Sequence, residues 1–211
     1  MVHGIQAKAN AGSQTSTATK RAPIVLPQPR MSGGQPLLDV LHNRKSTREF
    51  ASQQLSLDLI SDLLWAADGY NRPETKHRTA PTAHDRQEID IYAALETGLY
   101  LYDGEANLLH LITSQDLRTA TGEQDFVATA PLDLIYVADL ARMQDAADRT
   151  EQRFYSAIDT GFIAQNVYLF CASEGLATVV RGLVPRTRLA PLMRLRPSQR
   201  IIVAQSVGFP R

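Results

Sequence analysis

The sequence has a single cysteine, Cys171, among its 211 residues. One thiol excludes an intramolecular disulfide and a cysteine-built zinc cage. It also lacks net charge, with Lys and Arg totalling 22 and Asp and Glu totalling 22. A neutral chain has no general field to draw nucleic acid or an anionic membrane. Neither partner is expected, and any anion must be held locally. No apolar run reaches the roughly 20 residues that span a bilayer. There is no G-x-G-x-x-G and no Walker motif, which disfavours a Rossmann or P-loop nucleotide site. No internal repeat is visible.

What remains is ordinary globular material, 44% hydrophobic and 21% charged. The length suits one domain with a sizeable core. The first 35 residues are rich in Ala, Ser, Thr, Gly and Pro without periodicity, so residues 1–35 are expected to form a flexible arm and residues 36–211 a single domain. The "ANAG" at 9–12 resembles a signal-peptidase site, yet no apolar h-region precedes it. A cytoplasmic protein is expected, with the periplasm as the alternative if a signal segment lies upstream of this chain.

Periodicity supplies the elements. "PLLDVLHNR" (36–44) reads as a short helix, with Pro36 at its start and Leu37, Val40 and Leu41 on one face. Leu59, Ile60, Leu63, Leu64 and Ala67 mark an amphipathic helix, which Ser56 can cap and Gly69 can end. Residues 70–87 have no periodicity and read as a long polar loop, a kind that is often functional. Strands are expected at 88–95, on either side of the Asp103-Gly104 turn, and at 131–139. The region 145–174 reads as a central buried helix ending at Glu174-Gly175. A short strand at 176–180, a helix interrupted by Pro191 and a final strand at 199–209 follow. The order gives an α+β fold, a central mainly antiparallel sheet flanked by helices.

Three segments could carry chemistry. "RKSTR" sets Arg44, Lys45 and Arg48 around Ser46 and Thr47. Guanidinium forks, an ammonium and hydroxyls match phosphate oxygens, and a solvated basic turn is the alternative. The second is "RTAPTAHDRQ" (78–87), where Pro81 stiffens a loop and the small Ala80 and Ala83 leave room for a flat ligand beside Thr82, Asp85 and Gln87. An ordinary surface loop is the alternative. His77 and His84 lie seven apart on this loop, but without helical register that spacing argues against a metal site. The third is "GFIAQNVYLFCASEGLATVVRG" (161–182), which pairs small residues with a buried-type Asn166 and ends on Arg181-Gly182. Cys171 within it reads as a buried structural thiol.

Taken together, these segments resemble the nitroreductase-like family of FMN-dependent oxidoreductases. The pattern R-[RK]-S-x-R-x-F is met by Arg44, Lys45, Ser46, Arg48 and Phe50. The pattern P-[ST]-A-x-[ND]-x-Q is met by Pro81, Thr82, Ala83, Asp85 and Gln87. The pattern D-x-G-x-x-A-Q-N-x-x-L…E-G-L is met by Asp159, Gly161, Ala164, Gln165, Asn166, Leu169, Glu174, Gly175 and Leu176. "QSVGFPR" resembles the closing V-G-[YF]-P-[KR]. The likeness runs from about residue 36 to the end and is nearest to compact members, including the azoline-dehydrogenase-like subgroup. Asp85 stands where many members have Asn, and Ala177 where Gly is frequent.

The resemblance implies FMN as cofactor and NADH or NADPH as co-substrate, with no metal. Arg44, Lys45 and Ser46 would contact the phosphate, Arg48 the phosphate or ribityl chain, and Arg211 the phosphate again. Val179, Val180, Arg181 and Gly182 would line the isoalloxazine, with backbone groups near its N1, O2 or N5 side. Pro81, Thr82, Ala83, Asp85 and Gln87 would belong to the flavin site, reaching it from the partner subunit of a homodimer. The expected activity passes hydride or electrons from NAD(P)H through the flavin to a small acceptor such as a nitroaromatic or a quinone, with no side-chain nucleophile. A non-catalytic binding protein for FMN or another phosphorylated ligand is the alternative.

Overall fold

The apolar periodicities resolve into elements packed on both faces of one sheet. The computed structural model describes Met1 and residues 22–211. In chain order the elements are β1 (Ile24–Val25), α1 (Leu37–Asn43), α2 (Leu57–Asp68), β2 (Tyr70–Arg72), β3 (His77–Arg78), β4 (Ile89–Leu95), β5 (Gly98–Asp103), β6 (Leu108–Thr113), β7 (Leu132–Asp139), α3 (Arg149–Ser173), β8 (Ala177–Arg181), α4 (Arg186–Leu192) and β9 (Gln199–Gly208). Seven strands form one sheet in the order β1-β6-β5-β4-β7-β9-β8, and every neighbouring pair is antiparallel. The meander expected around Asp103-Gly104 is β4-β5-β6, and the fold is α+β as the element order implied.

Helix α2 begins where Ser56 Oγ accepts the Leu59 N–H at 3.2 Å, and it closes with the Gly69 N–H on the Trp65 carbonyl. Its apolar stripe of Ile60, Leu63, Leu64 and Ala67 meets Ile163, Ala164, Val167 and Cys171 of α3 over one face of the sheet. Period-2 alternation sends Ile89, Ile91 and Ala93 of β4 to that face, and Tyr92 and Ala94 to the other. There Leu189 of α4 and Met193 just after it cover them. The sheet is therefore buried on both sides.

Three expectations need correction. Helix α3 is buried on one face only: Ile163 and Val167 are covered, whereas Phe154 and Phe162 are 58% and 43% exposed, because among the described residues no element lies over that side. Residues 70–87 are not an unstructured loop. They hold the two-stranded β2-β3 sheet and two 3-10 turns, tied by Arg78. Its guanidinium donates to the Asp68 carbonyl, the Asp68 carboxylate, Gln87 Oε1 and the Tyr70 hydroxyl. The arm expected at 1–35 lies outside the described residues over 2–21, but residues 22–35 follow the body. Ile24 and Val25 pair with Leu109 and Leu108, Leu26 is buried, and Arg30 binds Asp62 and Glu174.

Candidate functional site

Strand β8 is a sheet edge, bonded on one side to β9. Its other side is met by the basic segment that leaves α1. The Thr47 N–H donates to the Thr178 carbonyl at 3.0 Å, the Ala51 N–H to the Phe209 carbonyl at 2.9 Å, and Phe50 bridges to Pro210. Phe50 anchors the segment by packing against Phe126, Ala130, Ala177 and Val179. This lacing sets the basic segment along Thr178 and, through the Tyr168 hydroxyl, Val180 of β8, with Phe50 beside Pro210 next to Arg211.

The cations of this group are unspent. Among the described residues Arg44, Lys45, Arg48 and Arg211 make no ion pair, and Lys45, Arg48 and Arg211 stand exposed. Open guanidinium and ammonium donors beside a serine hydroxyl are the groups that an anion can gather. The Arg44 guanidinium lies 5.3 Å from the Tyr168 ring centroid. The Tyr168 hydroxyl lies 2.9 Å from Ser46 Oγ and accepts the Val180 N–H at 2.9 Å. Sequence reasoning missed Tyr168. The available signal was a tyrosine beside the apolar positions of α3, whose hydroxyl must find a partner when covered.

Two residues expected to offer backbone groups to the flavin ring turn their side chains elsewhere. Alternation in β8 sends Val179 and Arg181 to the face away from α3. The Arg181 side chain is 1% exposed and pairs with Asp133 at 2.9 Å. It also donates to Ser206 Oγ, the Thr121 carbonyl and Thr121 Oγ1. Burial pushes the Asp133 carboxyl up to about 6 despite the adjacent guanidinium. The Arg181 side chain is thus a core group, and only its backbone can serve a ligand at the edge. Cys171 is fully buried, and burial pushes its thiol up, in keeping with a structural role.

The Pro81–Gln87 segment forms a second locus against the first half of α3. Asp159 accepts both Thr82 Oγ1 and the Ala83 N–H at 2.9 Å. His84, Asp85 and Gln87 all adopt positive φ, 55°, 54° and 47°, in the left-handed region that non-glycine residues seldom occupy. Such strain persists only where surroundings over-determine it. Here Gln87 Nε2 donates to the Lys76 carbonyl and Asp85 Oδ1, Thr82 Oγ1 accepts the Gln87 N–H, and Arg142 donates to the Gln87 carbonyl. Arg86 is locked on Asp145 and Glu151. His77 turns toward Asp85, 3.8 Å away, and His84 stacks edge-on against Tyr155. Pro81 and Asp85 face outward. Tyr168 lies nine residue steps along the helix from Asp159, a rise of roughly 14 Å at ~1.5 Å per residue. Within one chain the two loci are apart, one laced to β8 and the other held near the opposite part of α3.

Beneath this loop lie buried carboxyls. Asp68 faces Arg78 at 3.0 Å, and burial pushes it up to about 7. Glu88 is wholly covered and is likewise raised by burial.

A family model described as the nitroreductase family matches residues 41–209. A Methanocaldococcus jannaschii protein that carries a provisional nitroreductase name is 32% identical over 170 residues, 76% of this chain and 85% of that protein. A solved structure from Ralstonia eutropha, provisionally named a nitroreductase, superposes with a TM-score of 0.86 at 43% identity, over 100% of this chain and 97% of that one. A chain of the Escherichia coli microcin synthetase McbBCD complex superposes with a TM-score of 0.69 at 18% identity, over 98% of this chain and 85% of that one, a likeness of fold alone.

Proposed function

The chain belongs to the nitroreductase family and is an oxidoreductase, and from that premise we propose that it is an FMN-dependent enzyme using NADH or NADPH to reduce a small acceptor such as a nitroaromatic or a quinone. The observation that carries the cofactor assignment is the unspent donor set at the β8 edge. Arg44, Lys45, Arg48 and Arg211 supply charge, Ser46 supplies a hydroxyl, and none of these cations is neutralised within the described residues. That set fits a phosphate monoester.

When bound, FMN supplies the hydride and electron transfer itself. The protein's part is to hold and orient. The basic segment would fix the phosphate, and the backbone of Val180 to Gly182 would face the ring. Arg181 would act through its peptide groups, since its guanidinium is committed to Asp133. A Cβ added at Gly182 would meet nothing within 4 Å, so a planar group could approach the backbone there.

We propose further that the enzyme is a homodimer whose partner supplies the Pro81–Gln87 loop. Two features support this. The loop is rigid, faces outward and sits too far along α3 to join the basic segment of its own chain. Leu37, Leu38 and Leu41 of α1 and Phe154 and Phe162 of α3 are exposed apolar groups that a second copy would cover. Among the described residues no helix is long and apolar enough to cross a membrane.

The test is a visible absorption spectrum of the purified protein, before and after NADH or NADPH without oxygen. A yellow protein that bleaches supports the reading. A protein that stays colourless after soaking in FMN refutes the cofactor assignment. Changing Arg44 and Arg48 to Ala should lower flavin retention, and unchanged flavin content would refute the phosphate assignment.

A further inference from the structure

We propose that Tyr168 is a positioning residue that turns the Ser46 hydroxyl toward the bound phosphate; this rests on the phosphate reading of the basic segment. The argument follows single protons. Along the free edge of β8, the Thr178 carbonyl is met by the Thr47 N–H, and two residues later the Val180 N–H points the same way. Among the described residues no strand lies beyond it. The Tyr168 hydroxyl accepts that N–H at 2.9 Å. A peptide N–H can only donate, so the direction of this bond is fixed.

The phenol has one proton of its own. Its polar neighbour on the other side is Ser46 Oγ, at 2.9 Å. Either hydroxyl could donate across that gap. If Ser46 donated, the phenol oxygen would accept twice and its own proton would lose the serine as partner. If Tyr168 donates, every bond is used. Ser46 Oγ then accepts from the phenol, and its own proton is left to point outward among Arg44, Lys45 and Arg48. The result is a one-way chain, Val180 N–H to Tyr168 O–H to Ser46 O–H to anion. Each dipole polarises the next in the same sense, which strengthens the terminal donor. Arg44, stacked 5.3 Å over the same ring, ties one of the cations to the residue that orients the serine.

The assignment predicts a specific dependence on the phosphate. FMN and riboflavin differ only in that group, so they separate phosphate recognition from ring binding. The experiment titrates each flavin into the full-length protein after flavin has been dialysed away, and reads flavin fluorescence. Tyr168→Phe keeps the ring and the Arg44 contact and removes the hydroxyl. It should weaken FMN binding by roughly 5- to 10-fold, the worth of about one hydrogen bond, and leave riboflavin binding within about twofold. Ser46→Ala should weaken FMN by a similar or larger factor, and adding Tyr168→Phe to it should weaken FMN no further.

Equal losses for FMN and riboflavin in Tyr168→Phe would overturn the proposal, reducing Tyr168 to a cap on the sheet edge. Independent, multiplying effects of the two substitutions would overturn it as well. A wild-type protein that binds both flavins equally, or neither, would overturn the phosphate reading and this inference with it. That result is visible before any variant is made.

Discussion

Arg181→Ala separates a core arginine from a ligand arginine. In the wild-type protein the guanidinium makes four hydrogen bonds to buried groups, and its partner Asp133 is fully covered. Truncation leaves Asp133 with only the Ser206 and Thr121 hydroxyls and strands the Thr121 carbonyl. Removing one partner of a buried ion pair costs about 3–5 kcal/mol, because the other charge stays uncompensated. With a urea slope near ~2 kcal/mol per molar, the unfolding midpoint should fall by about 2 M. The loss should also depend on pH. Burial already raises the Asp133 carboxyl to about 6, and removing the cation raises it further. A raised acid adds stability below its unfolded value and loses it as pH climbs through the folded value. The deficit of Arg181→Ala should therefore be smallest near about pH 4–5, where a protonated Asp133 needs no partner, and should grow toward about pH 8. Urea titrations at fixed protein concentration, in flavin-free protein at several pH values, read this directly. A midpoint close to wild type together with weakened flavin binding would show that the guanidinium reaches the ligand instead.

Two further substitutions probe the buried polar groups. Asp68 has its carboxyl raised from 3.8 to about 7 by burial, so it adds stability at low pH that is lost as pH rises through about 7. Thermal melts should show wild type losing stability between about pH 4 and 7, by at most roughly 4 kcal/mol from this group, and Asp68→Asn should flatten that slope without abolishing it, because Asp133 also titrates in this direction; an unchanged slope would refute the assignment. Thr82→Val removes the hydroxyl that donates to Asp159 and accepts the Gln87 N–H. It should cost about 1–3 kcal/mol and speed hydrogen exchange at Gln87 while leaving the β5-β6 amides unchanged; equal protection in both proteins would mean the loop is held by other contacts.

What was legible in the sequence follows a physical line. Helix α2 could be read because its apolar spacing and its Ser56 cap are both local. The strands from β4 onward could be read because β-branched and aromatic runs are bounded by turn residues. The basic segment could be read because its charge is concentrated in five residues. Tertiary partnerships could not. Nothing local says that Arg181 turns inward to Asp133, 48 positions away, or that Tyr168 reaches Ser46, 122 positions away. Residues 70–87 lack periodicity because side-chain bonds from Arg78 and Gln87 hold them, and such bonds leave no repeat. Residues 22–35 look like tail by composition, yet a two-residue pairing and one arginine suffice to dock them.

That docking bears on self-association. A sheet edge with free N–H and C=O groups is a template on which a second copy can add a strand. At one end of this sheet, β8 is blunted by the basic segment and the Tyr168 hydroxyl. At the other end, among the described residues, Ile24 and Val25, with Asn107 tied to the Leu26 and Pro27 carbonyls, screen the β6 strand Leu108–Thr113. A chain shortened to residue 36, where composition alone would place the boundary, would bare that strand with its Leu-Leu-His-Leu-Ile-Thr sequence. The stretch from Ala22 to Pro27 therefore serves as a guard strip against polymerisation, and its loss would show first as oligomers or insoluble protein rather than as lost chemistry.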